Sequence, residues 1–207
     1  MSNPFCFKSE LWVTKSTGRS AKSLSDFLET LRTIDQLSIF YHFYINIFNY
    51  HNLPTYYTNS FAFWFFKNGL LILAEKVSVI DPLDYYDLED LRRVLIKVVE
   101  QNLSSSMLQK ELTPFYFITV EREIIDLGCE ANNLEEFKEG IKKSSIHSIF
   151  YHFITARLNK KTIINDYSSW LHSIGEVKKA EKINRIHPFM MTLYDIKREI
   201  IKILGEE

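Results

Sequence analysis

The sequence has little of what marks secreted or membrane proteins. Its two cysteines, Cys6 and Cys129, form no C-x-x-C pair, so we expect no disulfide framework and a reducing, cytoplasmic compartment. The N-terminus reaches charge at Lys8 and Glu10, before any apolar core of a signal peptide could form. The longest apolar run, SFAFWFFKNGLLILA, is interrupted by polar residues 67–69. Because this run is too short to span a bilayer, we expect no membrane partner.

A surplus of charge of one sign is also missing. Lys and Arg number 25 against 26 Asp and Glu, and neither half of the chain is strongly basic. The lysine clusters KEGIKK and EVKKAEK are interleaved with acids and are typical of solvated helix faces. A nucleic-acid partner is therefore not expected. Hydrophobic residues make up 46% of the chain, so a large core can be buried.

The sequence contains an internal repeat. With an offset of 110, residues 5–48 align with 115–158 and 13 of these 44 positions are identical, including SIFYHF at 38–43 and 148–153. With an offset of 106, residues 59–82 align with 165–188 at 8 of 24 positions. Ordered matches of this kind indicate a duplication. We predict one repeat unit over residues 1–107 and a second over 108–207, packed as one globular body.

Both halves carry the same pattern of secondary-structure signals. PFCFKSELWVT and PFYFITVEREIID alternate as strands do, and Ser23 and Asn133 then stand where helix N-caps are expected. Gly69 and Gly175 occupy matching positions that suit a left-handed helix exit. The sequence predicts a mainly α fold with a minor β component, in two tandem pseudosymmetric units. Each unit has one short N-terminal strand followed by about five helices, and the two strands are expected to pair.

The repeated histidines, His42 and His152, are candidate ligand-binding residues. Each lies in a helix that is apolar on most sides, where a buried imidazole must be hydrogen-bonded. The simpler interpretation is a core histidine, and the functional one is a pocket that both histidines share. No His-x-x-x-His or Glu-x-x-His spacing is present, so we expect no metal site and no cofactor. No catalytic residue is assigned.

A second repeated pattern joins an asparagine to a tryptophan. Asn59 precedes Trp64, and Asn165 with Asp166 precedes Trp170. The asparagines suit helix N-caps, and the indoles suit a core. The alternative is that these five residues bind a polar ligand, for example a sugar stacked on the indole. All of them are retained as ligand-binding candidates beside the histidines.

The aromatic residues are distributed unequally between the halves. Residues 1–107 hold 19 of the 30 Phe, Trp and Tyr residues. A helix that is apolar all round needs cover on every side, which a larger core, a partner or a second subunit could provide. The excess falls in the stretches FYHFYINIFNY and YYTNSFAFWFF.

The repeated elements resemble a known family. They are Gly18 with Ala21, the segment 38–42, the segment 59–64 and the segment 80–82, each with its match in the second half. Together they resemble a duplicated, uncharacterised domain-of-unknown-function family of archaea and bacteria. The resemblance extends from Phe5 to about residue 204 and implies the architecture without an activity. The chain departs from the pattern at one position, where the first half has Ser60 in place of an aspartate.

Two functions follow from these observations. The leading hypothesis is a non-enzymatic cytoplasmic binding or assembly protein that acts through its aromatic-rich first unit, as a homodimer or with a protein partner. The alternative is a small-molecule binding protein or enzyme, for a sugar or another metabolite, with a pseudosymmetric pocket around His42 and His152. In an enzyme, the histidine would serve as acid or base.

Overall fold

The described part of the chain comprises residues 3–48, 57–108 and 110–205 of a computed structural model. It is mainly helical, with one two-stranded sheet. The first half contributes β1 (Phe5–Ala21), α1 (Leu24–Thr33), α2 (Gln36–Phe48), α3 (Ser60–Lys67), α4 (Leu71–Ser78), α5 (Leu88–Gln101) and the short α6 (Ser105–Leu108). A 3₁₀ turn, Pro82–Asp84, precedes α5.

The second half also begins with a strand that is followed by helices. It contributes β2 (Phe115–Ala131), α7 (Leu134–Lys143), α8 (Ile146–Phe150), α9 (Ala156–Lys160), α10 (Asp166–Ser173), α11 (Val177–Asn184) and α12 (Leu193–Gly205). A short π-helix, Tyr151–Thr155, connects α8 to α9, and a 3₁₀ helix, Pro188–Met190, precedes α12. Within the described ranges, every helix is too short or too polar to cross a lipid bilayer.

The helix starts follow the predicted capping chemistry. The side chains of Ser23 and Asn133 accept hydrogen bonds from backbone N–H groups in the first turns of α1 and α7. Asn59 and Asn165 cap α3 and α10 in the same way. These side-chain oxygens satisfy N–H groups that have no partner inside the helix. The predicted N-caps are therefore confirmed.

The strands pair as predicted, but they are not short. Each has 17 residues and continues through polar sequence after its phenylalanines. That polar part is largely exposed to solvent. Because it covers no core, its residues need not alternate between apolar and polar for the strand to remain in the sheet. Gly18 and Gly128 have φ values of 70° and 60° near the strand ends, a conformation that β-bulges use and glycine adopts without strain.

The chain divides into two compact units that differ from its sequence halves. Unit A consists of Met1–Trp12 with Arg122–Glu207, and unit B consists of Val13–Glu121. Each unit therefore combines the start of one strand with the helices that follow the other strand. The boundary predicted between residues 107 and 108 separates the two sequence repeats and not these compact units, so it stays a prediction.

Each unit has an aromatic core built from equivalent positions. In unit A the indole of Trp170 stacks on Phe137, with ring centroids 4.6 Å apart. In unit B the indole of Trp64 stacks on Phe27 at 5.0 Å. Both indoles are largely buried and donate a hydrogen bond to a backbone carbonyl, Trp170 to Asn3 and Trp64 to Thr113. Such stacked and edge-on aromatic contacts add to the free energy gained by burial.

Candidate functional site

The histidine of SIFYHF binds the backbone of a strand in both units. In unit A, the backbone N–H of Lys8 in β1 donates to Nε2 of His152 at 2.8 Å. In unit B, the backbone N–H of Ile118 in β2 donates to Nε2 of His42 at 3.1 Å. A two-stranded sheet leaves its outer backbone groups without ladder partners, and a buried N–H must be satisfied elsewhere. The repeated histidine meets this requirement.

Ser148 completes the contact in unit A. It lies one helical turn before His152, so both side chains are on the same face of the helix. Its hydroxyl donates to the carbonyl oxygen of Lys8 at 2.7 Å, so Ser148 and His152 bind both backbone polar groups of that residue. In unit B, the hydroxyl of Ser38 makes no hydrogen bond within the described ranges.

The second ring nitrogen distinguishes the two histidines. Nδ1 of His152 lies 3.0 Å from Oδ2 of Asp166, whose other oxygen accepts from the ammonium of Lys160 at 2.6 Å. Because Nε2 accepts a hydrogen bond, the ring proton is on Nδ1 and is donated to the carboxylate. Nδ1 of His42 has no such partner among the described residues, since Ser60 stands where unit A has Asp166.

The acid–base properties of these groups follow from burial. Burial lowers the pKa of His42 to about 3. Burial also lowers the pKa of His152, and the hydrogen bond and negative charge of Asp166 offset this only in part. For Asp166, burial acts to raise the pKa, but the hydrogen bonds from His152 and Lys160 outweigh it and hold the pKa below its usual range. Unit A therefore holds a neutral imidazole against an ionised carboxylate.

A cavity of about 680 Å³ opens beside this pair in unit A. We call it the His152 pocket, and it is lined by Asn3, Pro4, Phe5, Cys6, Lys8, Tyr151, His152, Lys160, Asp166, Ser169, Trp170 and Ser173. The lining combines the rings of Phe5, Tyr151 and Trp170 with two ammonium groups and several hydroxyls. Pockets of this volume and mixed lining are typical of small-molecule sites.

Unit A also contains a buried polar pair outside the pocket lining. Glu10 is fully buried in β1, and its carboxylate accepts a hydrogen bond from the hydroxyl of Thr155 at 2.7 Å. Burial raises the pKa of Glu10, while Thr155, the charge of Arg122 and Trp12 lower it by a smaller amount. Thr155 is the last residue of the short π-helix that contains His152. Short π-helical segments are frequent at functional sites.

The predicted site residues thus separate into two groups. His152, Asp166 and Trp170 line the His152 pocket in unit A, and the amide of Asn165, which caps α10, donates to Asn184. His42, Asn59 and Trp64 belong to unit B, where Asn59 caps α3 and donates to the carbonyl of Val77. Both asparagines therefore have the capping role that the sequence suggested as the simpler interpretation.

Several pocket residues were missed by the sequence reasoning. Lys8 had a usable signal, because it is a charged residue inside an apolar strand and Ile118 occupies the equivalent place. Lys160 and Ser173 had no signal in the sequence, because only the packing of α9 and α10 beside the strand brings them to the pocket. Cys6 lines the pocket with an exposed thiol whose pKa is raised by desolvation and by Glu130.

The arrangement favours binding over acid–base chemistry. Both nitrogens of His152 are hydrogen-bonded, and both oxygens of Asp166 have donors. The raised pKa of Cys6 keeps its sulfur as a thiol, which is a poor nucleophile. Within the described ranges, no group of three or more His, Cys, Asp or Glu residues is placed to hold a metal ion.

The sequence was compared with known families and proteins. The model of a family of unknown function, DUF5752, matches residues 2–205, nearly the whole chain. The chain belongs to this family. The expected membership in a domain-of-unknown-function family is thereby confirmed. No curated protein matches the sequence significantly.

A solved structure supports the fold. The structure of OrfY from Thermoproteus tenax is similar to this chain with a TM-score of 0.84 and 31% sequence identity. The match covers 98% of this chain and 94% of that one. The mainly helical architecture with a small sheet is therefore one that this DUF5752 member shares with a relative of similar length.

Proposed function

We propose that this protein binds a small molecule and that the His152 pocket in unit A is the binding site. The observation that supports this best is the pocket itself, which is about 680 Å³ in volume and has the His152–Asp166 pair in its wall. Its volume lies within the range of about 300–1,000 Å³ that is usual for ligand sites. This proposal corresponds to the second hypothesis from the sequence, a small-molecule binding protein, but it places the pocket at His152 alone.

The equivalent positions of unit B do not offer the same lining. Where unit A has Cys6, Lys8, Asp166 and Ser169, the first-half helices and β2 carry Tyr116, Ile118, Ser60 and Phe63. These residues are larger or apolar at three of the four positions. The pocket around both His42 and His152 stays a prediction of the sequence.

We propose binding without catalysis. An acid–base catalyst needs a nitrogen or oxygen that is free to reach the substrate. His152 donates to Asp166 and accepts from Lys8, so its ring is held in one orientation with neither nitrogen free. Its role would be to hold β1 and Asp166 in place at the pocket.

The test uses the residue that unit B carries at the same position. Ser169→Phe places a phenyl ring in the pocket, because Phe63 is the residue of unit B that is equivalent to Ser169. We would titrate both proteins with benzoate, benzamide and glucose by ligand-observed NMR. We expect at least one compound to bind the wild type and the folded variant to lose that binding. Binding that is unchanged in the variant, or no binding by the wild type, would contradict the proposal.

A second candidate function, self-assembly through the first-half helices, has an observation of its own. Phe66, Leu71, Ile72 and Val79 of the α3–α4 hairpin are exposed, Ile72 by 67% and Val79 by 77%. The matching residues of α10 and α11 are His172, Val177, Lys178 and Arg185. Because three of these four residues in unit A are polar and only Val177 is apolar, the fold does not require so large an apolar surface.

The occupant we propose for this surface is a second copy of the chain. Glu75 and Lys76 lie between Ile72 and Val79, so two copies related by a twofold axis can pair these charges reciprocally. Tyr50 and Tyr56, which contribute to the aromatic excess, lie outside the described residues. Ile72→Lys with Val79→Arg, the residues of α11, is expected to convert a dimer to a monomer in light scattering. A wild-type monomer, or a dimer that the variant keeps, would contradict this candidate.

The remaining parts of our expectation are also proposals. The two sets of elements follow one another with the same offsets as the sequence repeat, which supports a duplicated, pseudosymmetric origin. Balanced charge and two unpaired cysteines support a cytoplasmic location. The similarity to a protein of Thermoproteus tenax supports the expected prokaryotic distribution.

A further inference from the structure

We infer that the ligand of the His152 pocket is a small organic anion whose carboxylate or phosphate group lies near the ammonium of Lys8. This inference rests on the proposed function and adds the chemical class of the ligand. The observations behind it are the charge of the lining, the partners of each charged group, and the apolar wall.

The pocket lining has an excess of positive charge. Lys8 and Lys160 line it against one carboxylate, that of Asp166, so the count of two against one gives the lining residues a charge of +1. Glu130, which is not a lining residue, accepts a hydrogen bond from the thiol of Cys6 at 3.5 Å. His152 adds no charge, because burial keeps its imidazole neutral. An anionic group of the ligand would balance this excess, and charge-assisted hydrogen bonds to it are the stronger kind.

The excess is located at Lys8. Lys160 already has Asp166 as a partner at 2.6 Å. Lys8 is half-buried, and none of the carboxylates in the described ranges forms an ion pair with it. The charges of Lys8 and Lys160 both act on the imidazole of His152, lowering its pKa, so both ammonium groups lie close to the same ring.

Hydroxyl groups and rings complete the chemistry. Ser169 offers one more hydroxyl donor toward the pocket, whereas the hydroxyl of Ser173, one turn further along α10, already donates to the carbonyl of Trp170 at 2.7 Å. Phe5, Tyr151 and Trp170 form the apolar part of the lining. A compound with an anionic end and an apolar or aromatic body fits this combination of donors and rings.

The equivalent strand residue provides a substitution that the fold tolerates. Ile118 stands where β1 has Lys8, and its backbone N–H binds His42 as that of Lys8 binds His152. Lys8→Ile therefore removes the ammonium and keeps the backbone contact. Lys8→Arg is the matched control, because it keeps the positive charge at the same position.

The experiment compares benzoate with benzamide, which has nearly the same shape and no charge, and adds phenyl phosphate as the second anion. We expect both anions to bind the wild type about tenfold more tightly than benzamide, as charge-assisted hydrogen bonds predict. Lys8→Ile should weaken benzoate binding by about tenfold and leave benzamide binding unchanged, while Lys8→Arg stays within about threefold of wild type.

The outcomes separate this inference from the proposed function. If benzamide binds as tightly as benzoate and Ser169→Phe abolishes both, the pocket is a ligand site and the anionic class is wrong. If Lys8→Ile leaves the affinity for benzoate unchanged, the inference is also overturned. If no probe binds the wild-type protein, both the inference and the proposed function fail.

Discussion

At the scale of single residues, the repeated histidine has one role in both units and a second role in one. Nε2 accepts a strand N–H from Lys8 or Ile118, which explains why the same residue recurs 110 positions later. Only His152 adds a carboxylate at Nδ1. The sequence interpretation of a hydrogen-bonded core imidazole agrees with this, although the partner is a backbone N–H group of a strand.

The buried imidazole of His42 predicts a loss of stability in acid. Its pKa is about 3 in the folded protein, below the usual value near 6.5, so the unfolded chain binds a proton that the folded one does not. Stability that is present above pH 6.5 is therefore lost as the pH falls toward 3. The slope from this residue is at most about 1.4 kcal/mol per pH unit.

His42→Gln tests this prediction, because the amide oxygen can still accept from the N–H of Ile118. Urea unfolding between pH 4 and 6.5 should show a shallower pH dependence for the variant than for the wild type. His152 remains in both proteins, so its own lowered pKa contributes equally. Equal slopes for the two proteins would show that the imidazole of His42 is accessible to protons in the folded state.

At the scale of the elements, the close approach of β1 to α7 depends on a glycine. A Cβ atom at Gly140 would overlap the ring of Phe7, which is almost fully buried in the same unit. Unit B has Thr30 and Phe117 at the equivalent positions and accommodates the side chain differently. A side chain at residue 140 would therefore require the ring of Phe7 to shift.

Gly140→Ala is expected to lower the free energy of unfolding. Overpacking a filled core costs roughly 1–3 kcal/mol, more than the helix propensity of alanine returns. The control is Gly205→Ala in α12, where an added Cβ atom would meet only the ammonium of Lys138 at 3.9 Å. Urea unfolding of both variants measures the difference. A Gly140→Ala protein as stable as the control would show that Phe7 can move away.

At the scale of the whole molecule, local sequence signals predicted the elements better than their grouping. Caps such as Ser23 and Asn165 use short-range hydrogen bonds, so residues within one helical turn reveal them. The composition of units A and B depends on which helices each strand packs against, and no local pattern records that choice. The His152 pocket was only half predicted for the same reason, because Lys8 and Lys160 come from distant parts of the chain.

The central claim is that a ligand binds in the His152 pocket of unit A and not at the matching residues of unit B, and the two indoles give equivalent reporters for it. The indole N–H of Trp170 donates to Asn3 beside the pocket, and that of Trp64 donates to Thr113 at the matching place in unit B. The measurement is the indole ¹H–¹⁵N shift of each tryptophan during a titration with benzoate. The account predicts that the Trp170 signal moves and saturates while the Trp64 signal stays in place. Movement of both signals, or of neither, would contradict it.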